Sequence, residues 1–218
     1  REDREKVDLA LAPDLERRFG GLRRLYGDAG YARLRAARVA VVGLGGVGLS
    51  GLMGAVLAGD GRIVAIDLSD DKLGLARQLG ATDTVNARDV DHVKQVRDLT
   101  NGGVDYAFDL AGTIKAMETA YLVTRWGGTT VTAGLSPIAA DFSFKQSALV
   151  SEEKTIKGSY MGSCVPVRDI PRFIALYQQG KLPVDRMVSQ RIGFDELNLG
   201  FDRLQDVATV RQILVPHG

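Results

Sequence analysis

Six residues constrain this chain more than any others: Gly43-Leu44-Gly45-Gly46-Val47-Gly48, with glycine at the first, third and sixth positions. They follow the apolar run Val39-Ala40-Val41-Val42 and lead into Val47 to Ala58, a stretch of small and apolar residues that reads as a helix. In a strand–turn–helix of this kind the first glycine permits the tight turn. The third removes a side chain where a phosphate must approach the backbone, and the sixth lets helix and strand pack closely. The helix start adds unpaired amides and a partial positive charge, which suits a phosphate ester. Gly43, Gly45, Gly46, Val47 and Gly48 are therefore the first candidate binding residues.

A second apolar run, Ile63-Val64-Ala65-Ile66, ends at Asp67. The step from Gly48 to Asp67 is close to the spacing expected between such a loop and a ribose-binding acid. An acid placed there accepts hydrogen bonds from both hydroxyls of an adenosine ribose, and its charge repels a 2′-phosphate. NAD is the cofactor this pattern favours over NADP. A glycine turn beside a solvated aspartate would give the same letters locally. The agreement of strand, loop, helix and acid separates the two readings.

From Arg38 onward strands and helices alternate. Helices are expected over Asp70 to Leu79, Val90 to Leu99 and Ile114 to Val123. Strands are expected at Thr84 to Asn86, Val104 to Leu110, Thr129 to Ala133 and Ile156 to Tyr160. A further helix carries Ile170, Phe173, Ile174 and Tyr177 at helical spacing. Short strands joined through helices need crossover connections, and right-handed crossovers leave an α/β doubly wound parallel sheet of Rossmann type. Residues 38–190 form this expected dinucleotide-binding domain. Residues 1–37 read as a helical arm, with Leu15, Phe19 and Leu22 on one face after Pro13-Asp14, an interruption at Gly20-Gly21, and a short helix through Tyr31 and Leu34. Residues 191–218 read as a small appendage, a helix through Leu197, Phe201 and Leu204 and a strand at Gln212 to Val215.

Composition narrows the functions. Lys and Arg number 28 against 27 Asp and Glu, which gives no reason to expect nucleic acid or a membrane surface as partner. No apolar run reaches the roughly 20 residues of a membrane span, and no signal peptide is evident, so the cytoplasm is the expected compartment. One cysteine, Cys164, and two distant histidines, His92 and His217, do not make a metal site. Ser163 and Val165 beside Cys164 offer no activating base, so no nucleophile is assigned there.

Several runs together resemble the cofactor half of a zinc-dependent, medium-chain alcohol dehydrogenase. They are Val42 to Leu49, Ala65-Ile66-Asp67 with Lys72, Leu79-Gly80-Ala81-Thr82, Gly103 to Asp109, Gly127-Gly128-Thr129, Lys157-Gly158-Ser159 and Val210 to Val215, so the resemblance extends from the glycine loop to the tail. It implies that Lys72 reaches the adenosine ribose beside Asp67. It implies that Leu110, Ala111 and Gly112 line the nicotinamide-side ribose, with Ala133, Gly134 and Leu135 near the carboxamide. Ser159 and Met161 would stand at the nicotinamide end, and Arg211 would pair with the pyrophosphate. Core packing would equally account for Leu110, Ala133 and Met161, and a solvated helix face for Lys72.

That family holds its catalytic zinc in a domain before the glycine loop. The segment from Arg1 to Val42 contains neither cysteine nor histidine. No catalytic residue and no metal ligand is therefore assigned. Tyr160 is a conceivable proton donor, but packing at a strand end explains it as well. Arg18 to Gly27 and Leu34 to Gly43 resemble instead the start of tRNA threonylcarbamoyladenosine dehydratases, which are ThiF-like adenylating proteins with an ATP-binding Gly-x-Gly-Gly-x-Gly loop. This second resemblance runs from the start of the chain to Gly48 and stops at the loop; the Cys-x-x-Cys pair of that family is absent. The two resemblances meet at one turn, as in a chimera of two nucleotide-binding chains.

Four functions stay open on the sequence. They are an NAD-binding domain without turnover of its own, an oxidoreductase completed by a further domain or partner, an ATP-dependent adenylating enzyme, and a scaffold with an incidental nucleotide. Phe194, Leu197 and Phe201 are expected on an apolar patch, open to cover by the N-terminal arm or by a second copy of the chain, and a homodimer is expected.

Overall fold

A computed structural model describes residues 27–33, 35–59, 61–204 and 209–216. Leu15, Phe19, Leu22, Leu34 and His217 lie outside the described residues, whereas 27–33 and 35–36 are helical.

Six strands form one parallel sheet: β1 (Arg38–Val42), β2 (Arg62–Asp67), β3 (Asp83–Asn86), β4 (Val104–Asp109), β5 (Thr124–Thr132) and β6 (Thr155–Gly158). Their order across the sheet is β3-β2-β1-β4-β5-β6. Helices α1 (Gly46–Ala58), α2 (Asp70–Gln78), α3 (His92–Leu99) and α4 (Ile114–Val123) supply the crossovers, and α5 (Gln146–Ser151) and α6 (Pro166–Gln178) flank β6 in sequence. The chain leaves β1 for β2 on one side and returns to β4 on the other. This reversal opens a crevice between β1 and β4 at their C-terminal ends.

The central strands are apolar on both faces because both faces are covered. Val39, Val41, Ile63 and Ala65 pack with Leu49, Leu52 and Met53 of α1 and Leu73 and Ala76 of α2. Their neighbours Ala40, Val42, Val64 and Ile66 pack with Val96 of α3 and with Ala120 and Val123 of α4. The period-two alternation of a strand assigns each residue to its core. The register sets Val42 opposite both Ile66 and Asp109, and Asp109 opposite Thr132, so the strand ends form one continuous edge.

Where the elements depart from the sequence expectation, local geometry explains it. β5 begins at Thr124, not Thr129, directly after α4. Thr124 pairs with Val104 and Thr129 with Tyr106, so residues between them bulge out of register. The Thr124 hydroxyl bonds to the Ala120 carbonyl and to Thr130 Oγ1, which closes the bulge. Gly127 and Gly128, which precede the strand expected from Thr129, are part of it. α3 starts at His92, not Val90, which is fully exposed. β6 stops at Gly158, two residues before Tyr160. The six-residue α5 is too short to show a periodicity.

The tail holds a strand that the sequence did not suggest, β7 (Gln190–Ile192). It pairs in parallel with β8 (Gln212–Leu214) in a separate two-stranded sheet. Between them a 3₁₀ turn at Phe194–Glu196 leads into α7 (Leu197–Arg203). Leu182, Met187 and Val210 join the core beside α1, which anchors the tail there. Phe194 and Phe201 are exposed and Leu197 is half-buried. The apolar stripe of α6, through Ile170, Phe173, Ile174 and Tyr177, is also half exposed.

At the opposite edge of the sheet, Asp105 ties β1, β4 and β5 together. Its carboxylate accepts from the Arg38 backbone N–H at 2.7 Å, from Arg38 Nε at 3.0 Å and from Arg125 Nε at 2.6 Å. Partial burial alone would raise the Asp105 carboxyl, but these bonds and the Arg38 charge outweigh it and hold the group at about 2. A depressed folded-state value contributes stability that is present above the ordinary aspartate value of about 4 and is lost as pH falls toward 2. Asp105→Asn is expected to destabilise the chain at pH 7 by about 1–2 kcal/mol. In thermal melts the gap between wild type and variant should close between pH 4 and 2.

Candidate dinucleotide site

The glycine loop joins β1 to α1 at the crevice. Gly43 adopts φ +86°, and its N–H donates to the Ile66 carbonyl at 2.9 Å. A Cβ there would stand 2.5 Å from Ala111 Cβ, so the turn lies against the chain leaving β4. A Cβ on Gly48 would lie 1.7 Å from the Gly43 carbonyl oxygen, which leaves no room for one. Gly45, the N-cap of α1, is extended and has nothing within 4 Å of its Cβ position. No side chain caps the helix, and its first turn carries no acid. The first amides of α1 therefore have neither an intrahelical partner nor a side-chain acceptor.

Two charged groups flank this open helix end. A Cβ on Gly46 would be 3.1 Å from Arg211 Nη2, so the Arg211 guanidinium stands over the loop although it comes from the tail. Asp67 ends β2. Its Oδ2 accepts from the Leu44 N–H at 2.6 Å and its Oδ1 from the Ser69 N–H at 2.9 Å. Both oxygens retain a lone pair for a further donor. The carboxylate thus fixes the loop and also aims α2, whose N-cap is Ser69.

A cleft of about 850 Å³ runs along the β1–β2–β4 strand ends. Of the candidate residues it gathers Gly43, Gly45, Asp67, Lys72 and Ala111. Leu68, Ala87, His92, Thr113, Leu204 and Thr209 also line it and were not singled out from the sequence. Leu68 is half exposed directly after Asp67, a position that could have been read. His92 gave no sequence signal. Its Nδ1 faces the Asp89 carbonyl at 2.8 Å and its Nε2 the Thr119 hydroxyl at 3.1 Å. Leu204 and Thr209 reach the cleft from the tail, a placement that sequence spacing cannot convey.

The remaining candidates stand elsewhere along the edge. Val47 is exposed at the start of α1, and Gly48 is buried under it. Leu110 packs into the core, where its Cδ1 lies 2.6 Å from the Cβ position of Gly51. Gly112 and Gly134 touch backbone to backbone: a Cβ on Gly134 would fall 2.2 Å from the Gly112 amide nitrogen. The Ala133 and Gly134 N–H groups both donate to the Asp109 carbonyl, and Leu135 is exposed. Ser159 donates its N–H to the Thr132 carbonyl, and its hydroxyl meets that of Ser163 at 3.0 Å. Met161, at φ +50°, is exposed, as is Tyr160. Tyr160 therefore does not pack at a strand end.

A parallel sheet in this order, with a glycine loop at its switch point and an acid closing β2, defines a Rossmann-type dinucleotide-binding domain. Residues 46–179 match the model of the zinc-binding dehydrogenases, and the chain belongs to that family. It is 33% identical over 187 residues to the S-(hydroxymethyl)glutathione dehydrogenase of Paracoccus denitrificans, covering 82% of this chain and 50% of that one. Among solved structures it is similar to an alcohol dehydrogenase zinc-binding domain protein from Burkholderia ambifaria, at 30% identity and a TM-score of 0.79. That match covers 88% of this chain and 56% of the other. The benzyl alcohol dehydrogenase of Acinetobacter calcoaceticus also superposes at 0.79 with 32% identity, over 82% of this chain and 49% of its own. The chain thus spans about half the length of the relatives it matches and corresponds to their dinucleotide-binding half.

The family name implies zinc, and the described residues do not fit it. Among the described residues no group of three or more His, Cys, Asp or Glu is placed to hold a metal. No helix among them is long and apolar enough to cross a membrane.

The glycines at the third and sixth positions of the loop make opposite demands. Gly48→Ala is expected to cost at least about 3 kcal/mol, because the Cβ would drive α1 off the turn. Gly45→Ala is expected to change stability by no more than about 0.5 kcal/mol, since its backbone and surroundings accept a methyl group. Denaturant titration of both variants checks the contrast.

Proposed function

We propose that this chain binds NAD along the C-terminal edge of its sheet and does not oxidise alcohols by itself. The observation that carries the reading is Gly45. It is a bare N-cap in open space, between the Arg211 guanidinium and the Asp67 carboxylate. A phosphate group fills such a cradle, and a side chain would block it.

In this reading the α1 amides and Arg211 hold the pyrophosphate. Asp67 and Lys72 hold the adenosine ribose, and the exposed face of Leu68 offers apolar contact to the purine. Ala111, Gly112, Ala133, Gly134, Leu135, Ser159 and Met161 form the nicotinamide end, while the Leu110 side chain packs into the core beneath them. The bound nicotinamide supplies a hydride acceptor. No metal ligand set that would activate an alcohol is formed among the described residues. The half-length match to relatives favours a second reading, an alcohol or aldehyde oxidoreductase completed by a further domain or a partner chain. A cytoplasmic homodimer that covers Phe194 and Phe201 is part of the first reading.

The segment before the loop is read as a separate inheritance, from a ThiF-like adenylating chain joined at the shared turn. The local residues from Arg18 to Gly43 support it. ATP binding in place of NAD is the outcome this inheritance would predict if it governed function.

Calorimetry with NAD, NADP and ATP tests these readings together. NAD is expected to bind, with NADP weaker by at least roughly tenfold because the Asp67 charge opposes a 2′-phosphate. Asp67→Asn should narrow that preference. Tight ATP binding without NAD binding would overturn the proposal. Alcohol oxidation by the chain alone with added zinc would overturn the claim that it needs a further domain for turnover.

A further inference from the structure

Asp109 is the last residue of β4 and is 1% exposed. A carboxyl group is costly to place in a strand-end core, and an apolar residue of similar size would fill the space. Its hydrogen bonds show what it does there. Thr132 Oγ1, at the end of β5, donates to Oδ2 at 2.8 Å, and the Ala111 N–H donates to Oδ1 at 3.2 Å. The Asp109 backbone carbonyl accepts from the Ala133 N–H at 3.0 Å and the Gly134 N–H at 3.2 Å.

One residue therefore ties three segments. The side chain holds the turn after β4 in the shape that presses Ala111 against Gly43 of the phosphate loop. Side chain and backbone together hold the end of β5, so that Gly112 and Gly134 meet with no room for a Cβ between them. These are the two loops assigned above to the nicotinamide half. They come from different strands, and a backbone ladder alone does not set how their ends bend beyond the sheet.

We propose that Asp109 is a positioning residue for the nicotinamide half of the dinucleotide, acting through the loops that follow β4 and β5. The proposal rests on the NAD-binding reading. Asp109 acts from beneath the loops, so its loss should separate recognition of the two ends of the cofactor. The adenosine end depends on Asp67, Lys72 and Gly45, none of which bonds to Asp109.

The test compares binding of NAD and of AMP to the full chain by calorimetry. Asp109→Ala removes both side-chain bonds and should weaken NAD roughly tenfold while AMP changes less than about twofold. Asp109→Asn should restore NAD binding, because its Oδ1 can accept from Ala111 and its amide can donate to the Thr132 hydroxyl. Thr132→Val keeps volume and removes one bond. It should weaken NAD about three- to fivefold and leave AMP unchanged, and it decides the matter alone if Asp109→Ala does not fold. NAD affinity unchanged in Thr132→Val and Asp109→Ala would overturn the proposal. So would a parallel loss of NAD and AMP, or an asparagine variant as weak as the alanine one. Absence of NAD binding by the unaltered chain would overturn the underlying reading, and the proposal with it.

Discussion

The contact between Gly48 and the Gly43 carbonyl is where the structure begins. It lets α1 start within one turn of the end of β1, with its axis close to the sheet. Without it α1 would lift away, and Leu49, Leu52 and Met53 would leave the core that covers Val39, Val41 and Ile63. The same contact aims the open end of α1 at the crevice between β1 and β4. Stability and binding thus share one constraint, although they use different glycines: Gly48 and Gly43 for packing, Gly45 for access.

A second tier of interactions surrounds this joint. Asp67 bonds to the Leu44 amide, so the acid suited to a ribose also braces the loop. Ala111 closes on Gly43, and Asp109 holds Ala111 and Thr132. The strand ends therefore form a connected set of contacts and hydrogen bonds. The far edge of the sheet is tied separately by Asp105 between Arg38 and Arg125.

Much of this was legible in the residues. Alternating apolar runs and glycine turns indicated a doubly wound parallel sheet, because strands apolar on both faces need helices on both faces. The loop residues and Asp67 could be named from spacing, since the phosphate loop is local. The start of β5 was not legible: Thr124 pairs with Val104 only because a bulge absorbs Gly127 and Gly128. β7 was missed because so short a strand carries no period and its partner, β8, lies on the far side of α7 in sequence. Leu110 illustrates a different limit, since its side chain serves the core beneath α1 and not the open edge.

By itself the sequence determined the strand–loop–helix unit, the acid that closes β2 and the scarcity of cysteine and histidine, because each depends on residues close in the chain or on composition. Only the tertiary structure decided that Arg211 stands over Gly46, that His92, Leu204 and Thr209 share the cleft, and that Asp109 couples two loops. Those pairings join residues far apart in sequence. They arise from the return of the tail across α1 and from strand register, which local patterns do not encode.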